Sequence, residues 1–288
     1  MIRFLIPVNF APYTLKAIEY CTAIAEHVGG EITLLYCYTN FLSESDGESD
    51  SETDSGNEKS ETTILSHQDA YTELEKLKAH VLSNTRRSNN LQIKLRVLDG
   101  YPEDAIQLFC KEYYPDLIVM GTKSKGETIK ELLGSVTLDI IKGVSFPVMA
   151  VPINYSFNLD KINNILFVTD FAKCEYTSLH KLVRLVGTFK TKIHNVQYCP
   201  AGKEKVDAEQ LKEYSEYCKS TYRNQSMICD YICGHDMVAA SMEYIENNNI
   251  DLMAITRKKR NFIAKMMHPS QTRKILFSAE IPTLFFHK

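Results

Sequence analysis

The sequence predicts an α/β protein made of two tandem open parallel five-stranded sheets, each flanked by helices. Three observations predict it. Apolar runs of strand length alternate with helical patterns, and a strand-helix-strand unit needs the crossover that makes neighbouring strands parallel. PDLIVMG at 115–121 returns as IDLMAIT at 250–256, and Phe146-Pro147-Val148-Met149 returns as Ile281-Pro282-Thr283-Leu284. From Asp116/Asp251 to Pro147/Pro282 the offset stays at 135 residues, which chance would not keep across separate features.

Taken in order, Ile2 to Val8 is an apolar strand. The helix after it sets Leu15, Ile18, Cys21 and Ile24 on one side until Gly29-Gly30 ends it, and Glu31 to Tyr38 is the second strand. Residues 43–62 are acidic and polar throughout and read as a surface insertion. Asp50, Glu52, Asp54 and Glu61 fall on a calcium-loop template, but Gly56 sits one position late and no helix enters, so a solvated acidic loop is the reading. Leu74, Leu77 and Val81 mark a helix from Ser66 to about Arg87. Gln92 to Leu98 alternates as a strand, and Gly100-Tyr101-Pro102 opens a helix through Ala105, Leu108 and Phe109. Leu117 to Met120 is a buried strand that Gly121 is expected to end, Val136, Ile140 and Ile141 form a helix, and Pro147 to Val151 is the last strand of the first copy.

The second copy runs from Asn164–Val168 through Lys192–Tyr198, a helix at Ala208–Tyr222 and a strand about Cys229–Cys233. The boundaries expected are 1–153 for the first domain, 154–161 for a linker and 162–288 for the second. The two domains should pair through their last strands, Val148 to Val151 and Thr283 to Phe286.

Composition narrows the function classes. In 288 residues, 44% hydrophobic and 24% charged content is a globular mix. A net charge of −3 argues against a general nucleic-acid or anionic-membrane binder, which needs a basic face. No apolar run approaches the roughly 20 residues that span a bilayer, and Met1-Ile2-Arg3 leads straight into a strand, so a cytoplasmic protein is expected. The eight cysteines lack zinc spacing and read as reduced, mostly buried thiols. No histidine shows metal-ligand spacing, and His235 and His268 are the two placed near a loop of interest.

The stretch 116–152 carries the chemistry: a buried strand, a glycine-bearing loop with Lys123 and Lys125, and Gly134-Ser135 just before a helix. Backbone N–H groups and a helix dipole converge there, an arrangement suited to anions. With IPVNF and FVTDF at the ends of the first strands, DLIVMG, GSV and the closing FPVMAVP, both halves resemble universal stress protein domains joined in tandem. The resemblance implies a Rossmann-like, adenine-nucleotide-binding fold and ATP, with Mg²⁺, as ligand. It places the nucleotide beside Pro7, Asn9, Met120, Gly121, Ser124, Gly134, Ser135 and Val136.

Two departures matter. Ser124 replaces a family glycine, and Asn9 replaces an aspartate, losing the charge that strengthens a ribose contact. Weakened nucleotide binding in the first half is expected. In the second half the matching positions are Asp170 at the strand end, then Thr256, Lys259, Pro269 and Ser270; proline has no N–H to donate but suits a helix's first turn. A second site on Asp170, Lys259 and Ser270, helped by the basic run Arg257–Arg260, is the lesser expectation.

No G-x-S-x-G elbow, P-loop, HExxH or kinase set occurs, so no catalytic or metal-binding residue is assigned. Three readings stay open: a regulatory protein that binds ATP and changes protein partners, a nucleotide-free scaffold, and a slow nucleotide hydrolase. Beyond pairing of the two domains with each other, a homodimer is the further option.

Overall fold

Strand and helix alternate from the start of the chain. The first half runs β1 (Ile2–Val8), α1 (Pro12–Val28), β2 (Gly30–Tyr38), α2 (His67–Asn84), β3 (Leu91–Asp99), α3 (Pro102–Tyr113), β4 (Leu117–Thr122), α4 (Ser135–Gly143) and β5 (Val148–Pro152). The second half runs β6 (Asn164–Thr169), a 3-10 turn at Lys173–Glu175, α5 (Tyr176–Val186), β7 (Lys192–Pro200), α6 (Ala208–Thr221), β8 (Ser226–Gly234), α7 (Met237–Asn247), β9 (Leu252–Arg257), α8 (Pro269–Ser278) and β10 (Thr283–His287). This computed structural model describes residues 1–39, 67–85, 91–123, 135–156, 162–202, 207–257 and 269–287. The acidic insertion at 43–62, with its calcium-loop candidate, lies outside them.

Helix starts follow local chemistry. Pro12 and Pro102 open α1 and α3, where a missing N–H costs nothing. Asp207 accepts from the backbone N–H groups of Glu209 and Gln210, and Asp236 from those of Val238 and Ala239, capping α6 and α7.

The strands form one ten-stranded sheet in the order β3-β2-β1-β4-β5-β10-β9-β6-β7-β8. Pairing is parallel within each half and antiparallel at the centre, where Thr283, Leu284 and Phe285 face Ala150, Met149 and Val148. The two expected five-stranded parallel sheets are thus the halves of one sheet, joined through the last strands. Helices cover both faces: α1, α2, α5 and α6 pack with Phe4, Ile6, Met149, Phe167 and Leu284, and the other helices with Leu5, Ile118, Val148, Leu166 and Phe285. β3 and β8 are the two outer edges.

The repeat is written in the backbone as well. Phe10 (φ 58°) and Phe171 (φ 57°) take the same left-handed turn after β1 and β6, and Tyr114 (φ 52°) and Asn249 (φ 48°) do so before β4 and β9. Phe10 and Phe171 are 161 residues apart, an offset that also aligns the register of β1 with β2 on that of β6 with β7.

Three expectations are corrected. Gly121 does not end its strand: it pairs with Val151 and Thr122 pairs with Pro152. Leu15 (41% exposed) and Leu108 (58%) do not face the core. In α1 the buried stripe runs through Thr14, Ala17, Ile18, Cys21 and Ile24, and in α3 through Ala105, Ile106 and Cys110, one step round from the leucines. The thiol expectation holds in kind: the seven cysteines with described side chains are free, and Cys21, Cys110, Cys199 and Cys218 are buried.

The central seam sets a testable demand. Leu284 is fully buried on β10, so Leu284→Ala should cost about 2–5 kcal/mol in urea-induced unfolding. It should act on both halves in one transition. A separate early transition for residues 162–288 would contradict a shared core.

Candidate functional site

In the first half the chain steps outward from β1 to β2 and β3, then returns to place β4 on the other side of β1. Crossovers diverge at that reversal and leave a crevice beyond the carboxyl ends of β1 and β4, the ligand position in open α/β sheets. A cavity of about 240 Å³ lies there. Pro7 and Asn9 reach it from the end of β1, Met120 and Gly121 from β4, and Val136 from the first turn of α4, so five of the eight expected residues meet in one place. Ser124 and Gly134 fall outside the described residues; Ser135 is the first residue of α4.

Polar groups line one side. Asn9 Oδ1 accepts from the Ala11 backbone N–H (3.2 Å) and from Thr14 Oγ1 (2.5 Å), while Asn9 Nδ2 donates to the Tyr13 hydroxyl (2.5 Å). The amide therefore ties the end of β1 to the first turn of α1. Thr137 Oγ1 donates to the Gly121 carbonyl at 3.5 Å, linking α4 to β4. Lys123 stands at the edge of the cavity.

Gly121 has a packing reason of its own. A Cβ there would lie 2.0 Å from the Tyr13 carbonyl oxygen and 3.0 Å from the Thr14 nitrogen, so α1 can rest on β4 only because residue 121 has no side chain.

The sequence reading missed the other wall. Leu35 and Cys37 of β2 and Ile106 of α3 complete it, and burial pushes the Cys37 thiol up to about 12, so it is no nucleophile near neutral pH. The signal was available in the parallel register, which sets Leu35 beside Pro7 and Tyr36 beside Val8.

The second half differs at the matching positions. Asp170 Oδ1 accepts from the Ala172 N–H at 3.1 Å, as Asn9 does from Ala11. Thr14 is replaced by Glu175, buried, whose carboxylate accepts from Thr169 Oγ1 and from the Asp170 N–H. Cys37 becomes Tyr198, which is 8% exposed and donates its hydroxyl to the Gly234 carbonyl at 2.7 Å; Gly121 becomes Thr256. Lys259 lies outside the described residues, and Pro269 and Ser270 open α8.

Arg257, the first residue of the basic run, lies at the seam. It donates, together with His287 at 2.6 Å, to the Ile141 carbonyl near the end of α4 in the other half, where cations complement the helix dipole. Burial lowers its pKa. His235 is exposed between β8 and α7, and His268 lies outside the described residues. Among the described residues no cluster of three His, Cys, Asp or Glu could hold a metal, and no helix is long and apolar enough to cross a membrane.

A sheet that is parallel within each half and covered by helices on both faces, with a cavity at the strand-order reversal, defines a doubly wound α/β fold. The sequence profile of the universal stress protein family matches residues 1–152, and the chain belongs to that family. A universal stress protein from Archaeoglobus fulgidus DSM 4304 shares the fold over 99% of this chain and 96% of its own, with TM-score 0.67 and 15% identity. A functionally unknown protein from Pseudomonas aeruginosa PAO1 aligns over 99% and 92% at TM-score 0.59 and 12% identity. The cytoplasmic domain of a prokaryotic cation chloride cotransporter aligns over 99% and 94% at TM-score 0.54 and 11% identity. No curated protein matches the chain in sequence.

The close approach at Gly121 generates a prediction. Gly121→Ala should destabilise the protein by about 1–3 kcal/mol in chemical denaturation, because the added methyl forces α1 off β4. Thr256→Ala, at the matching position of the second half, should show no such overpacking loss.

Proposed function

We propose that the protein is a regulatory member of the universal stress family that binds ATP in its first half, and binds it weakly. The chain then divides into domains at 1–153 and 162–288 with a linker at 154–161, acts in the cytoplasm, and signals its nucleotide state to protein partners. The observation that carries this reading is the cavity at the reversal between β1 and β4, which brings Pro7, Asn9, Met120, Gly121 and Val136 together.

The residues present fit an adenine nucleotide in kind. Apolar walls from Leu35, Met120, Ile106 and Val136 suit a base, and a few convergent polar groups suit an oriented ligand. Asn9 faces the ribose position as a neutral group. The start of α4 and Lys123 would hold the triphosphate, whose negative charge a helix N-terminus and a lysine both favour. The bound ATP would supply phosphate charge that differs between its states; the chain supplies orientation. In the second half, Tyr198 and Thr256 replace smaller side chains and Pro269 removes an N–H, which supports a single site.

The scaffold reading has one observation in its favour. Gly121 is accounted for by the Tyr13 carbonyl, and much of the Asn9 amide is spent on Ala11, Tyr13 and Thr14, so neither residue needs a nucleotide to explain it.

Isothermal titration with ATP and Mg²⁺ separates the two. Wild type should bind in the micromolar to sub-millimolar range, and Gly134→Pro and Cys37→Tyr should each lose about tenfold or more. Absence of heat at millimolar ATP would leave the scaffold; unchanged binding by both variants would place the nucleotide outside this cavity.

A further inference from the structure

The two halves of the seam are related by the repeat, so every hollow on one side has a counterpart on the other. A cavity of about 270 Å³ lies between the halves at the amino ends of β1 and β4, lined by Ile2, Leu117 and Phe146 from the first half and Leu185, Leu284 and Phe286 from the second. Ile2 begins the strand whose far end reaches the nucleotide crevice, so the two cavities are about 20 Å apart.

Cations overlook this floor. Lys181 and Arg184 sit one turn apart on the same side of α5, both exposed, and both line the cavity with Asp116. Arg184 meets Asp116 only at 3.5 Å, and the other oxygen of Asp116 already accepts from the Arg3 backbone N–H at 2.8 Å. Lys181 has no ion pair among the described residues. One carboxylate facing two cations leaves the mouth net positive.

The counterpart shows what the hollow accommodates. Shifting by 161 and 135 residues turns Lys181 into Tyr20, Arg184 into Ala23, Leu117 into Leu252 and Asp116 into Asp251. Within α5, Lys181 and Arg184 are exposed where their α1 counterparts Tyr20 (2% exposed) and Ala23 (5%) are buried. What buries Tyr20 is Tyr155, from the segment after β5. Its ring lies edge-on to that of Tyr20 with centroids 5.9 Å apart, and its hydroxyl donates to the Asp251 carbonyl at 3.0 Å. At this end of the seam, then, an aromatic ring with a polar tip is the filling.

We propose that the cavity beneath Lys181 and Arg184 binds an aromatic carboxylate, its ring on the floor of Leu117, Leu284 and Phe286 and its carboxylate between the two cations. The ring takes the role that Tyr155 plays in the counterpart. The carboxylate answers a charge that the counterpart, with Tyr20 and Ala23, does not carry. The volume is near the lower end for small-molecule sites, which favours one or two fused rings over a larger ligand. Because β5 and β10 meet behind the floor, such a ligand would touch both halves and raise the stability of the seam.

The probe is 2-naphthoate, with 2-naphthalenemethanol as its neutral counterpart, followed by ligand-observed NMR and calorimetry on the full chain. Naphthoate should bind with a sub-millimolar Kd, and the alcohol about tenfold or more weaker. The double variant Lys181→Ala, Arg184→Ala should bind naphthoate no better than wild type binds the alcohol, while its ATP titration stays as in wild type. Equal binding of acid and alcohol, unchanged naphthoate binding by the double variant, or no naphthoate binding at ~1 mM would each overturn the proposal. The nucleotide reading is judged separately, by the ATP titration alone.

Discussion

Everything in the molecule depends on the antiparallel contact between β5 and β10. All five residues of β5 are buried, so the strand needs cover on both faces and partners on both sides. In a single five-stranded copy it would be an edge, with a row of backbone N–H and C=O groups open to pairing. The second copy supplies that missing partner, and by pairing antiparallel it places its own strands as a rotated image of the first. One consequence is continuity: the core on each face of the sheet contains residues from both halves.

Much of this was legible in the sequence. Two-residue and four-residue periodicities located the elements, and the constant offset exposed the repeat, because buried parallel strands are short apolar runs that local sequence encodes well. The leucines at 15 and 108 misled because helical periodicity is judged from the side chains expected to be buried, and an exposed leucine is common. Gly121 misled for another reason. A glycine after an apolar run resembles a strand end, while its actual constraint is the carbonyl of Tyr13, more than 100 residues away in the chain. The candidate site was half legible: residues on β1, β4 and α4 came from a motif, whereas Leu35, Cys37 and Ile106 enter only through tertiary register.

The two copies have diverged in a complementary way. The first keeps small groups, Cys37 and Gly121, at the carboxyl end of its strands, and fills its side of the seam with Tyr20 and Tyr155. The second carries Tyr198 and Thr256 at the corresponding carboxyl end, and has Lys181 and Arg184 over an open hollow at the seam. Each change is one of side-chain size or charge at matching positions of the repeat, and the φ angles of the left-handed turns at Phe10 and Phe171 agree to within a degree.

The order of strands also decides how the molecule meets others of its kind. With β5 and β10 committed at the centre, the remaining edges are β3 and β8, at opposite ends of a sheet about 45 Å across. β3 shows Lys94 and Arg96 to solvent and β8 shows Asp230, charges of the sort that discourage a strand from recruiting a neighbour. The chain is in effect its own dimer: the join is internal, its stoichiometry is fixed covalently, and it does not weaken on dilution.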